Sequence, residues 1–138
     1  MLSRIFGNQT FTLLEKGLEA SKLREQVTAH NIANNDTPDF KRSYVEFEQY
    51  LAAALNEEQS EFEMKRTRRG HSLPEETDLD GVTPMVIKDN STTLRMDGNN
   101  VDIEHEKVEQ AKNQIHYNTL VEQLNSELRR LRIAMGKG

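Results

Sequence analysis

Apolar residues recur at helical spacing in two long stretches, one near each end of the chain, and thin out between them. In the first stretch Leu13, Gly17, Ala20, Leu23, Val27 and His30 follow at steps of four and three, which marks one face of an amphipathic helix. Leu14 and Leu18 widen that face. Thr12-Leu13-Leu14-Glu15 has the form of a capping box, so the helix is expected to begin near residues 10–12. It is expected to stop at Asn34-Asn35, because Asn accepts a left-handed cap and Pro38 cannot continue a helix.

Ser43-Tyr44-Val45-Glu46 reads as a second capping box, opening a shorter helix with Phe47, Tyr50, Leu51, Ala54 and Leu55 on one face. From Glu57 to Gly81 periodicity disappears, which reads as a charged insertion that is flexible or ordered by a partner. Met85–Lys88 and Thr93–Met96, separated by Asp89-Asn90-Ser91, have the look of a small hairpin. The last stretch is expected to be one helix over 103–135. Asp102 is its N-cap, Glu104 and Glu106 complement the dipole at the start, Arg129, Arg130 and Arg132 do so at the end, and Gly136 stops it. Its stripe runs through Val108, Ala111 and Ile115, then Tyr117, Val121, Leu124, Leu128, Leu131 and Met135, where the 4-3-4-3-4 steps are those of a coiled-coil seam.

A helix of that length is a rod of ~50 Å at the α-helical rise, whereas a compact globule of this size is only ~37 Å across. The expected fold is therefore mostly α and elongated. Its N- and C-terminal helices pair as a coiled-coil-like hairpin, with a short third helix and a small irregular or β segment in the middle. The chain divides into an N-terminal helical arm (1–56), a charged flexible segment with a small hairpin (57–96) and a C-terminal helix (97–138). Narrow stripes bury little surface, so association with other chains is the economical way to cover Leu14, Leu18, Leu120 and Ile133.

Composition sharpens this picture. Only 35% of the 138 residues are hydrophobic and 30% are charged, and the mean hydropathy is -0.79. The net charge of -5 argues against nucleic acid as a partner. No stretch approaches the ~20 apolar residues of a membrane span, and residues 1–17 lack the apolar run of a secretion signal. With no cysteine, disulfides and thiolate chemistry are excluded. His105-Glu106 begins like a zinc-protease helix, but Glu109 stands where the second His would be needed, so these read as solvated polar residues at a helix start. Glu76, Asp78 and Asp80 mimic half a calcium loop whose final ligand position is Ile87. Lys65–Arg69 is a basic run that reads as a solvated loop. Neither a phosphate loop nor a nucleophile elbow is found, so no catalytic, metal or cofactor residues are assigned and an enzyme is not expected.

Two motifs carry a resemblance. Asn31-Ile32-Ala33-Asn34-Asn35-Asp36-Thr37-Pro38-Asp39-Phe40-Lys41 resembles the N-terminal signature of the flagellar rod, hook and hook-associated protein family. Asp97-Gly98-Asn99-Asn100-Val101-Asp102, leading into the terminal helix, resembles the proximal rod proteins of that family. The residues that match are Asn31, Ala33, Asn34, Thr37, Pro38, Phe40, Lys41, Asp97, Gly98, Asn99, Val101 and Asp102. Asp39 departs from the pattern, standing where the family usually has Gly. Asp is among the few other residues that tolerate positive φ, so the turn is expected to survive.

The resemblance implies a structural subunit of the proximal rod, periplasmic, whose terminal helices line the inner wall of a helical tube that transmits motor torque. Implied partners are the chain itself, other rod proteins, the basal-body base and the flagellar type III export apparatus. Export by that route requires no cleaved signal peptide, and weak intrinsic stability would suit it. The stripe residues Leu13, Ala20, Leu23, Val27, Ile115, Tyr117, Val121, Leu124, Leu128, Leu131 and Met135 are then the expected assembly interface. The alternative on pattern alone is a cytoplasmic helical adaptor or export chaperone using the same stripes.

Overall fold

The computed structural model describes residues 9–62, 81–90 and 95–136. In chain order they form α1 (Gln9–Ala33), β1 (Ser43–Glu46), α2 (Glu48–Phe62), β2 (Met85–Lys88) and α3 (Ile103–Ala134). Among the described residues, the helices α1 and α3 make the most extensive contact. Their pairing is antiparallel: Gly17 lies against Leu120, Ser21 reaches His116, Glu25 reaches Gln110 and Asn31 reaches Glu106. With 32 residues, α3 is ~48 Å long. Continuing that register, the last turns of α3 extend past the first described residue of α1, and the elongated shape follows.

The ends of α3 fall where the caps place them. Asp102 is extended and its Oδ1 accepts from the N–H groups of Glu104 and His105 at 2.9 and 3.2 Å. Gly136 has φ +70° just past the C-cap, a conformation open to glycine because it has no Cβ. Thr12, in contrast, lies a turn inside α1, so Thr12–Glu15 does not cap it.

Two readings of the middle are corrected. Ser43–Glu46 is not a capping box but strand β1, and α2 begins only at Glu48. Tyr44 and Val45 favour a pleated strand, and a partner strand is at hand to satisfy the backbone. That partner is β2, antiparallel with Val45 opposite Val86 and Ser43 opposite Lys88. β2 therefore pairs across the chain with β1 rather than with Thr93–Met96. Of that second segment, Thr93 and Leu94 lie outside the described residues, and Arg95 and Met96 form a bend and turn. The segment from Glu57 is helical as far as Phe62. The rest of the expected charged insertion up to Asp80, with the basic run 65–69, lies outside the described residues.

Among the described residues the apolar core is small. Ala20 of α1, Phe47 and Val82 are buried together, with Leu51 and Ala54 of α2 packed against them. Among the described residues, polar side chains are buried as often as apolar ones, and the largest fully buried ones are Glu106, Asn31, Asn99 and Ser21. A fold of this kind stands on whether those groups find partners.

Candidate functional site: a polar junction between the terminal helices

The two signature segments, some sixty residues apart in sequence, dock on each other where α1 ends and α3 begins. Asn31, in the last turns of α1, is fully buried and its carboxamide behaves like a short piece of strand. Its Oδ1 accepts from Ser43 N–H at 2.9 Å, while Nδ2 donates to Ser43 C=O at 2.7 Å and to Glu106 Oε2 at 3.0 Å. Both amide protons are thereby used, and only an Asn-like group of that length can make all three bonds. Glu106 is 1% exposed, and its second oxygen accepts from Arg42 Nε at 2.9 Å. The reading of Glu106 as a solvated helix-start residue is overturned. It lies on the face of α3 that meets α1, and the carboxylate is buried with two donors.

Asn99 performs the matching task for the second segment. Its Nδ2 lies 2.9–3.0 Å from three carbonyl oxygens just past the end of α1, those of Asn34, Asn35 and Thr37. Its Oδ1 accepts from Val101 N–H at 2.7 Å. Asn100 ties in the strand region, accepting from Arg42 N–H at 2.7 Å and donating to Asp89 C=O at 3.0 Å. Lys41 Nζ donates to Gly98 C=O at 2.8 Å, and Asp39 N–H to Asp97 C=O at 2.9 Å. Arg95 donates to Asn35 C=O and pairs with Asp97.

The turn itself is closed by Thr37 Oγ1 donating to Asn34 Oδ1 and Asn34 Nδ2 donating to His30 C=O. Phe40 stands edge-on to His30 with ring centres 5.4 Å apart. Ala33 and Pro38 are exposed, and Val101 is buried. At Asp39 the backbone has φ 57°, the positive value expected of the position. Gly98 faces it with φ +79°, and a Cβ there would come within 2.2 Å of Asp39 Oδ1. These two positive-φ residues are packed against each other.

Beyond the junction the α1–α3 seam stays polar as far as Ser21 and Asn113, before Gly17 meets Leu120. Asn113 Nδ2 donates to Ser21 C=O at 2.8 Å, and Gln110 Nε2 donates to Glu25 Oε1 at 2.8 Å. Residues two apart lie ~200° round a helix, so Glu106 and Asn113 turned inward leave Val108 and Ile115 outward, at 52% and 69% exposure. Of the other stripe positions, Ala20 is buried in the subunit's own core and serves internal packing rather than a contact between subunits. Leu13, Leu23, Val27, Val121, Leu124 and Leu131 are half-buried, and Tyr117, Leu128 and Met135 are exposed.

A cleft of about 590 Å³ opens beside the junction, between α1, β1 and α3. Its carboxylates are taken: Glu48 by Arg24, Glu106 by Arg42 and Glu109 by Lys112. Partial burial raises the Glu48 carboxyl, but the Arg24 hydrogen bond, a backbone N–H and the Arg24 charge together outweigh it and hold the group below its ordinary value. The Lys112 hydrogen bond does the same for Glu109. Ser21 and His116 meet at 3.4 Å, yet Ser21 is 1% exposed and out of reach of a substrate. No group of three or more metal-binding side chains is found among the described residues, nor a helix long and apolar enough to cross a membrane.

The buried polar side chains of the junction, Asn31, Asn99, Asn100 and Glu106, tie two long helices together, and large apolar side chains of α3 are exposed. That arrangement defines a structural, assembling class of chain. No family profile matches the sequence. The chain is 33% identical to the flagellar basal body rod protein FlgB of Bacillus subtilis over 94% of its own length and 95% of the relative's. It is 36% identical to the FlgB of Borreliella burgdorferi over 75% of its length and 78% of the relative's. With the Borrelia hermsii FlgB the identity is 42%, over 76% and 79%. The chain belongs to the FlgB family of flagellar basal-body rod proteins.

Proposed function

We propose that the chain is a structural subunit of the proximal rod, built into a helical tube that crosses the periplasm and transmits motor torque. The observation that carries this reading is the junction. Both signature segments are consumed in fixing the angle and register of α1 against α3, which is what a repeating load-bearing unit requires and a catalyst does not. Directional hydrogen bonds between buried groups resist shear, because sliding one helix along the other would orphan several at once. The uncovered apolar positions of α3, including Val108, Ile115, Ile133 and Met135, supply the surface for neighbours. In a tube these contacts are head-to-tail and open-ended.

The proposed partners are further copies of the chain, other rod proteins and the basal-body base, reached through the flagellar type III export apparatus without a cleaved signal peptide. Leu124→Asp or Leu128→Asp should keep the chain exported but exclude it from rods, read by immunoblot of purified basal bodies. Normal incorporation of both variants would remove the seam residues from the interface. An adaptor or export chaperone would instead stay in the cytoplasm, and its wild-type form would be missing from basal bodies.

A further inference from the structure

A second cleft, of about 720 Å³, lies on the flank of the α1–α3 pair. Three carboxylates line it, Glu15, Glu19 and Glu25, with Lys22 among the lining residues and Lys16 4.0 Å from Glu19. Among the described residues two buried acceptors of its lining side chains have no donor, Glu25 Oε2 and Asn113 Oδ1, and Asn113, which also lines the first cleft, is only 9% exposed. Buried acceptors of this kind are costly unless a donor reaches them. Glu15, Leu18, Glu19 and Lys22 share one face of α1 at steps of three, one and three, so the cleft presents a half-buried leucine flanked by acids.

The complementary surface lies at the far end of the same molecule. Arg129, Arg132 and Ile133 share a face of the last turns of α3, all exposed. Arg130 is paired with Glu127 at 2.9 Å, whereas Arg129 and Arg132 make no ion pair among the described residues. A guanidinium brings five donors in a planar fork that suits carboxylates. The tip cannot turn back into its own cleft. Gly17 and Ser21 stand level with Leu120 and His116, so Arg132 lies ~21 Å along the axis from Glu19.

We infer that the basic tip of α3 in one copy docks on the acidic cleft of α1 in the next, Arg129 and Arg132 on the carboxylates and Ile133 on Leu18. The inference rests on the rod reading and names one of its contacts between copies. Charge supplies the specificity and the hydrophobic pair the contact area, so the interaction weakens as salt rises.

The chain has no cysteine, which makes a disulfide test clean. Glu19→Cys with Arg132→Cys is introduced into the full chain in motile cells, and isolated basal bodies are oxidised and run on non-reducing gels. The two sites are too far apart to close within one molecule, so disulfide-linked multimers report contact between copies. The expected result is multimers from this pair and none from Glu19→Cys with Lys107→Cys, whose second site is at the other end of α3. Equal multimers from both pairs, or none from the first with the chain present in basal bodies, would overturn the inference and leave the rod reading standing. Absence of the wild-type chain from basal bodies would instead overturn the rod reading. Should the cysteine pair fail to incorporate, charge reversal decides. Glu19→Arg and Arg132→Glu should each cut incorporation about tenfold, and the two combined should restore it. Undiminished incorporation of the single variants, or a combination that restores nothing, would overturn docking between copies; the second result would assign the cleft to a different rod protein.

Discussion

Replacing Glu106 with Gln should be among the costliest conservative changes the molecule can undergo. The carboxylate is 1% exposed and accepts from Asn31 Nδ2 and Arg42 Nε on its two oxygens. Gln keeps the size but turns one acceptor into a donor, so a donor–donor contact must form with Asn31 or Arg42. Arg42 also loses its counter-charge. Breaking a buried ion pair costs ~3–5 kcal/mol, and because Arg42 is 22% exposed water relieves part of that, which puts the expected loss at ~3 kcal/mol. Against a typical total of ~5–15 kcal/mol this is a large share. Urea unfolding of the purified chain, followed by helical circular dichroism, reads it directly. With a slope of ~2 kcal/mol/M the midpoint falls by ~1.5 M. Arg42→Met in the Glu106→Gln background should cost less than the sum of the two single changes by more than ~1 kcal/mol. A midpoint within ~0.3 M of wild type, or strictly additive losses, would refute the claim that this pair holds the junction.

Other changes test other parts of the junction. Gly98→Ala forces a Cβ to within 2.2 Å of Asp39 Oδ1 at φ +79°, so it should destabilise by ~2 kcal/mol or more. Combined with Asp39→Gly, which removes the obstructing carboxylate, the loss should shrink, and a double-mutant cycle in urea checks the coupling. Asn99→Ala removes the side-chain donor shared by the carbonyls past the end of α1 and is expected to lower the urea midpoint and speed amide exchange at Val101, whose N–H bonds Asn99 Oδ1. The folded Glu48 carboxyl is held below its ordinary 4.5, so its stabilising contribution is complete above that pH and lost as acidification passes the folded value. Glu48→Gln should therefore show a smaller fall in urea midpoint between pH 6 and pH 3 than wild type. Pro38→Ala with Phe40→Ala should impair swimming on soft agar, because the exit from α1 loses its fixed direction and its contact with His30.

Much of the architecture was legible in local chemistry. Asp102, the acidic first turn and Gly136 mark α3 almost to the residue, since caps act through neighbours in sequence. The family's glycine at position 39 and the tolerance of Asp for positive φ made the turn's survival legible, whereas the φ of 57° itself came from the structure. The failures share a cause, which is that periodicity groups residues onto a face without saying what covers it. Val108, Ala111 and Ile115 form a true apolar line, yet α1 meets the opposite side of the helix. Glu106 and Asn113 stand seven and fourteen residues before Leu120 in reverse order, so stepping the seam back by heptads from Leu120 would have reached them. Their polarity hid them. Ser43–Glu46 was misread because a strand of four residues depends on a partner some forty residues away, and Asn31 was known only as a signature letter until Ser43 and Glu106 were placed around it.

We propose the chain as a building block of the rod. Electron microscopy of cell envelopes from a strain lacking the gene, scored for rods and hooks, tests it most directly. Rods and hooks should be lost together, the wild-type gene should restore them, and Leu124→Asp should not. Normal hook–basal bodies in the deletion strain would contradict it.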